Sequence, residues 1–87
     1  MLSQSAILQR VIDPERGDFP PDLARRVLTF DFPAADHARY LELSTKAQDG
    51  SLSEDERAEL EDYLDVNDFL TLLKAKAEAS LRHNPAA

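Results

Sequence analysis

The sequence contains no cysteine, which excludes disulfide bonds, thiolate metal sites and a cysteine nucleophile. It has only two glycines and five prolines, and 43% of its residues are hydrophobic, so a disordered chain is not expected. No run of eighteen apolar residues is present, so no membrane-spanning helix is expected. The first residues also lack the basic and apolar regions of a signal peptide. We therefore expect a cytoplasmic protein.

Acidic residues outnumber basic ones by 17 to 10, which gives a net charge of −7. An acidic domain repels phosphate backbones, so general binding of nucleic acid is disfavoured. A basic protein partner is the electrostatically favoured alternative. The length of 87 residues predicts a single domain, residues 1–87, with a modest hydrophobic core.

Apolar residues recur at helical spacing in four segments, which proline or glycine separates. The segments cover about residues 3–12, 22–29, 34–48 and 54–82. We therefore predict an all-α fold, a small bundle of three short helices and one long C-terminal helix. Residues 83–87 are expected to form a frayed tail, because Asn84 and Pro85 stop the last helix.

The junction between the last two segments carries the strongest local signal. Gly50 can adopt the left-handed conformation that closes a helix. Ser53 can cap the next helix, and Glu56, three residues later, completes a capping box. The pattern predicts a helical hairpin that turns at Gly50.

The long fourth segment has more apolar surface than a simple amphipathic helix. Its main stripe alternates steps of three and four residues: Tyr63, Val66, Leu70, Leu73 and Ala77. Further apolar residues widen the stripe: Leu60, Leu64, Phe69, Leu72 and Leu81. Either the three short helices wrap this helix, or it pairs with a second copy in a homodimer. A break near Asn67 also stays open, because Val, Asn and Asp adjoin there.

Two groups of residues invite a metal or catalytic interpretation. Aligning Gly50 with the glycine of a calcium loop places Glu56 at the final position, but Thr45 and Ala47 fall where carboxylates are needed. A capped turn explains the same residues without a cation. Asp36, His37 and Tyr40 could serve a small metal-dependent enzyme, although no His-x3-His or Glu-x2-His pair accompanies them.

The fourth segment also suggests a docking surface. Acidic residues crowd its first half and apolar residues its middle, so a basic protein could bind there. We assign partner binding to seven residues: Glu59, Asp62, Tyr63, Phe69, Leu70, Leu72 and Leu73. A DNA-binding regulator is a further alternative, because four arginines lie in the N-terminal third: Arg10, Arg16, Arg25 and Arg26.

Nearly the whole chain resembles a family of small, uncharacterised, all-helical bacterial proteins. The resemblance is carried by residues 7–18 (ILQRVIDPERGD), 28–40 (LTFDFPAADHARY), 42–44, 46–53 (KAQDGSLS), 58–60, 63–64 and 72–77. Proteins of this kind are often encoded beside HNH-type nuclease genes, which implies an antitoxin-like or accessory partner of a basic nuclease. The resemblance transfers no catalytic residue, cofactor or metal ligand, so we expect a non-enzymatic protein-interaction module.

Overall fold

The structure is a computed structural model that describes residues 3–83, except for the side chain of Ser5. Within that range the chain forms four α-helices and no strand: α1 Gln4–Ile12, α2 Pro21–Val27, α3 Ala34–Asp49 and α4 Glu54–His83. The all-α prediction of three short helices and one long C-terminal helix is confirmed. Of the predicted frayed tail, His83 is instead the last residue of α4, and residues 84–87 lie outside the described residues.

The contacts divide the chain into two compact units. The central unit is Asp31–Asn67, and the terminal unit combines the described residues 3–30 and 68–83. Helix α4 contributes to both units and is continuous from Glu54 to His83, so the break considered near Asn67 is absent. No helix among residues 3–83 has both the length and the apolar character needed to cross a bilayer.

The central unit is built on the predicted hairpin. Gly50 has φ 71°, the left-handed conformation, and its N–H donates to the carbonyl of Ala47. The capping box is complete, because the Glu56 N–H donates to Ser53 Oγ and the Ser53 N–H donates to Glu56 Oε1, each at 3.1 Å. Leu43 of α3 is fully buried. The hairpin prediction at Gly50 is therefore confirmed.

The predicted apolar stripe of α4 is only partly covered. Leu73 and Ala77 pack in the terminal unit, but Val66 is 47% exposed and Leu64 is 42% exposed. Val66 is exposed because of where α3 begins. The first residue of α3 is Ala34, which lies close to the level of Tyr63. No turn of α3 remains to cover Val66, one turn further along α4.

The terminal unit has a small core in which short side chains allow close packing. Ala24 and Val27 of α2 and Ala77 of α4 are buried. Half-buried apolar side chains surround them: Phe19, Leu28, Leu73 and Leu81. The expected apolar face of α1 is only partly buried, and Val11 is 76% exposed.

Lys76 is the buried cation of the terminal unit, with 7% of its surface exposed. Its ammonium group donates to the carbonyls of Ile12 (2.7 Å) and Asp13 (3.3 Å) at the end of α1 and pairs with Asp18 Oδ1 at 2.7 Å. It also lies 5.3 Å from the centre of the Phe19 ring. Three acceptors thus match the three donors of the ammonium group, which a buried charge requires. The hydrogen bond from Lys76 lowers the pKa of Asp18.

The loop between α1 and α2 lies directly on the backbone of α4. The Phe19 N–H donates to Ser80 Oγ at 3.1 Å, and the buried Ser80 hydroxyl donates to the Lys76 carbonyl at 2.8 Å. A Cβ atom at Gly17 would stand 2.7 Å from the carbonyl oxygen of Ala79. Only glycine at residue 17 permits this approach.

The two glycines are expected to respond differently to substitution. Gly17→Ala should lower the free energy of unfolding by about 1–3 kcal/mol, because its Cβ meets helix backbone. Gly50→Ala should cost about 1 kcal/mol, because only its positive φ is unfavourable and the space around it is open. Asparagine should be better than alanine at residue 50, since it tolerates that φ, and worse than alanine at residue 17. Urea unfolding of the four variants measures both orders, and the same order at both positions would contradict this account.

Removal of the buried ammonium is expected to destabilise the terminal unit. Lys76→Met keeps most of the side-chain volume but leaves two carbonyls and Asp18 without their donor. The free energy of unfolding should fall by about 1–3 kcal/mol. Lys74→Met, the same change two residues away, should alter it by about 0.5 kcal/mol or less. Equal urea midpoints for the two variants would show that the Lys76 contacts contribute nothing.

Candidate functional site

The acidic excess of the protein belongs entirely to the central unit. Residues 31–67 contain eleven acidic and three basic residues, a net charge of −8. The remaining residues contain six acidic and seven basic residues, a net charge of +1. The negative charge of the protein is therefore concentrated in Asp31–Asn67.

Three aromatic rings form a cluster in this unit. Phe32, just before α3, stacks on Tyr40 of α3 with 6.3 Å between ring centres. Tyr63 of α4 meets Phe32 edge-on at 5.6 Å and lies 6.1 Å from Tyr40. The Tyr63 hydroxyl donates to Asp36 Oδ1 at 2.8 Å. Helix α3 thus supplies Tyr40 and Asp36 on one side, and α4 supplies Tyr63 on the other.

Beside the cluster lies a surface groove of about 400 Å³, which we call the aromatic groove. Its lining consists of apolar or aromatic side chains and carboxylates: Phe32, Tyr63 and Val66 with Asp36, Glu59 and Asp62. Three of the seven residues predicted to bind a partner, Glu59, Asp62 and Tyr63, are brought together here.

The other four predicted residues lie in the part of α4 that belongs to the terminal unit. Leu73 packs against the core there. Leu70 and Leu72 are half-buried, and Phe69 is 39% exposed. The structure therefore places Leu73 in a core-packing position and leaves Phe69 as the most exposed of these four side chains.

An ion-pair cluster adjoins the aromatic groove. Arg39 of α3 donates to both oxygens of Glu59, at 2.8 and 2.9 Å. It also lies 3.0 Å from Glu42 and 3.6 Å from Glu56, and Lys46 lies 2.6 Å from Glu56. Arg39 thus joins α3 to two successive turns of α4.

The cluster shifts the ionisation of its members. The hydrogen bonds that Arg39 donates to Glu59 and Glu42 raise the pKa of Arg39 above its usual value, and the bond from Arg39 lowers the pKa of Glu59. The hydrogen bond from Lys46, followed by that from the Ser53 N–H, lowers the pKa of Glu56 to about 2. These carboxylates stay charged in the folded protein well below neutral pH.

The Tyr63 phenol also has a shifted pKa. Its hydrogen bond to Asp36, its partial burial and the charges of Asp36 and Glu59 raise the pKa of the phenol. A neutral phenol donating to a carboxylate orients that carboxylate, and removal of the proton would place two negative charges together.

The residues of the catalytic interpretation have the following surroundings in the structure. Asp36 accepts from Tyr63, Tyr40 belongs to the aromatic cluster, and His37 is exposed on α3. Among residues 3–83, no three His, Asp or Glu side chains are grouped as metal ligands. At the last position of the calcium-loop alignment, Glu56 accepts from Lys46 and from the Ser53 N–H, as in a capped turn.

Sequence reasoning missed Phe32 and Val66 as lining residues. Phe32 stands immediately before Pro33, the N-cap of α3, a position from which a side chain folds back onto the first turns of the helix. Val66 belongs to the apolar stripe of α4, for which the sequence left a wrapped helix and a homodimer open, and the starting point of α3 leaves it exposed.

Comparison of the chain with protein-family models, with curated proteins and with solved structures gave no match.

The Lys46–Glu56 pair is expected to make stability depend on acidity. The folded-state pKa of Glu56 lies below its ordinary value of 4.5, at about 2. The stabilisation is therefore complete above about pH 4.5 and is lost as the pH falls towards 2. In Lys46→Met, the largest cause of the shift is gone, so the melting temperature should fall less between pH 6 and 2 than in the wild type.

Lys74→Met is the matched control, because it is the same substitution at a lysine that lies away from Glu56. Its melting temperature should follow the wild-type acid profile. Identical profiles for Lys46→Met and Lys74→Met would contradict the assignment of the shift to Lys46.

Proposed function

We propose that the protein is a non-enzymatic interaction module that binds a basic protein through its central unit. The observation that carries this proposal is the separation of charge, −8 in residues 31–67 against +1 in the remainder. Such a concentration of one sign speeds encounter with an oppositely charged protein and orients it.

Many of these carboxylates are available to a partner. Arg39 and Lys46 engage only the acidic residues of the ion-pair cluster. Within residues 3–83, no ion pair involves five exposed acidic residues of α4: Glu54, Asp55, Glu61, Asp62 and Asp65. Solvated carboxylates of this kind lose little on meeting cationic groups of a partner, and they favour fast, salt-sensitive association.

The partner that we propose is a basic HNH-type nuclease, with this protein as its antitoxin-like or accessory protein in the cytoplasm. The resemblance to proteins encoded beside such nuclease genes motivates the choice. A nuclease presents cationic side chains to nucleic acid, so an acidic module that covers those side chains would compete with the substrate.

Self-association through α4 is a second candidate, and exposed apolar side chains favour it. Leu64, Val66 and Phe69 are each 39–47% exposed on α4. The solution mass from light scattering tests self-association, because a dimer would support it and a monomer would contradict it.

Binding to the nuclease encoded beside the gene tests the main proposal. We expect a stoichiometric complex by calorimetry, lower nuclease activity in the complex and weaker binding as salt rises. Glu61→Gln/Asp65→Asn, in the central unit, should weaken binding about tenfold. Glu15→Gln/Glu78→Gln removes the same charge from the terminal unit and should leave binding nearly unchanged. A nuclease that neither binds nor loses activity would overturn the proposed partner.

A further inference from the structure

We propose that the aromatic groove receives an arginine side chain of the basic partner. The inference depends on the docking function proposed above and specifies its chemistry. The aromatic groove is apolar along Phe32, Tyr63 and Val66 and carries carboxylates at its edge, which matches the flat faces and the donor edge of a guanidinium group.

The available acceptors can be identified atom by atom. Glu59 is occupied, because Arg39 donates to both of its oxygens. Asp36 uses Oδ1 to accept from Tyr63. Among the described residues, Asp36 Oδ2 and both oxygens of the exposed Asp62 have no hydrogen-bond donor. An incoming cation would therefore meet two carboxylates that still have free oxygens.

The size and walls of the groove favour one long side chain. Its volume of about 400 Å³ lies at the low end of the range for small-ligand pockets, about 300–1,000 Å³. A cation beside an aromatic ring gains about 0.5–2 kcal/mol, and arginine does so more often than lysine because its guanidinium is planar and weakly hydrated.

The same unit already binds one guanidinium group of its own. Arg39 is surrounded by Glu42, Glu56 and Glu59 at 3.0, 3.6 and 2.8 Å, and one of these, Glu59, also lines the aromatic groove. Carboxylates on adjoining turns of α3 and α4 are thus spaced to hold a planar cation.

Three synthetic peptides test the identity of the side chain. The probes are acetyl-Gly-Leu-X-Leu-Gly-amide with arginine, lysine or the neutral isostere citrulline as X. In NMR titrations of the full, isotopically labelled chain, the arginine peptide should shift signals of Phe32, Tyr63 and Val66. It should bind about tenfold more tightly than the lysine peptide, and the citrulline peptide should not bind. Equal binding of arginine and citrulline peptides, or shifts confined to other residues, would overturn the proposal.

A matched pair of variants separates the groove from diffuse attraction. Asp62→Asn removes one charge at the groove, and Asp65→Asn removes one charge from the same exposed stretch of α4 outside it. The first should weaken binding of the arginine peptide about tenfold and the second by about twofold or less. Equal weakening would show that only the net charge matters and would overturn the groove site.

The same pair distinguishes failure of this inference from failure of the proposed function. If the nuclease binds and both variants weaken it equally, the docking function stands and the arginine site is wrong. If neither nuclease nor arginine peptide binds, both are wrong. If the wild type is a dimer by light scattering and Asp62→Asn is a monomer, the groove receives a second copy of this chain, which overturns a foreign arginine as its occupant.

Discussion

The terminal unit depends on a single ammonium group. Lys76 joins the end of α1, the acidic loop that follows it and the C-terminal half of α4, and each of its three donors finds an acceptor. The two carbonyls carry the partial negative charge of a helix C-terminus, so the cation also satisfies the dipole of α1. A core of two alanines and one valine is small, and such a polar connection specifies which surfaces meet.

In the central unit, by contrast with the buried Lys76, most charged side chains remain in solvent. Arg39 and Lys46 connect α3 to α4, and the rest of its acidic residues give the unit its net charge of −8. Self-repulsion of this size costs stability. If the protein binds a basic partner, as proposed, the partner's positive charge would relieve that repulsion.

The sequence predicted the fold where local signals were strong. Ser53 and Glu56 follow Gly50 at the spacing of a capping box, and proline marks the start of α2 and α3. The helix boundaries agree within two residues at every end. Which apolar residues are buried was harder to predict from the sequence. Spacing alone places Val66 in the apolar stripe of α4, whereas its exposure depends on where α3 begins.

The candidate site was predicted in part for the same reason. Glu59, Asp62 and Tyr63 share one face of one helix, so their proximity follows from sequence spacing. Asp36 and Phe32 reach the groove only through the packing of the hairpin, which no local pattern encodes. The burial of Lys76 was also missed, although its small neighbours Ala77 and Ala79 are a sign that another segment could approach the helix there.

The connection between α3 and α4 offers a place where foreign sequence can enter the chain. The bonds that close α3 end with the Ser51 N–H, which donates to the Lys46 carbonyl, and the capping box begins at Ser53. A reporter peptide spliced between Ser51 and Leu52 would leave both sets of bonds intact, and a longer surface loop costs little entropy. The hairpin can thus carry a fluorophore or affinity handle at the end of the unit away from the aromatic groove.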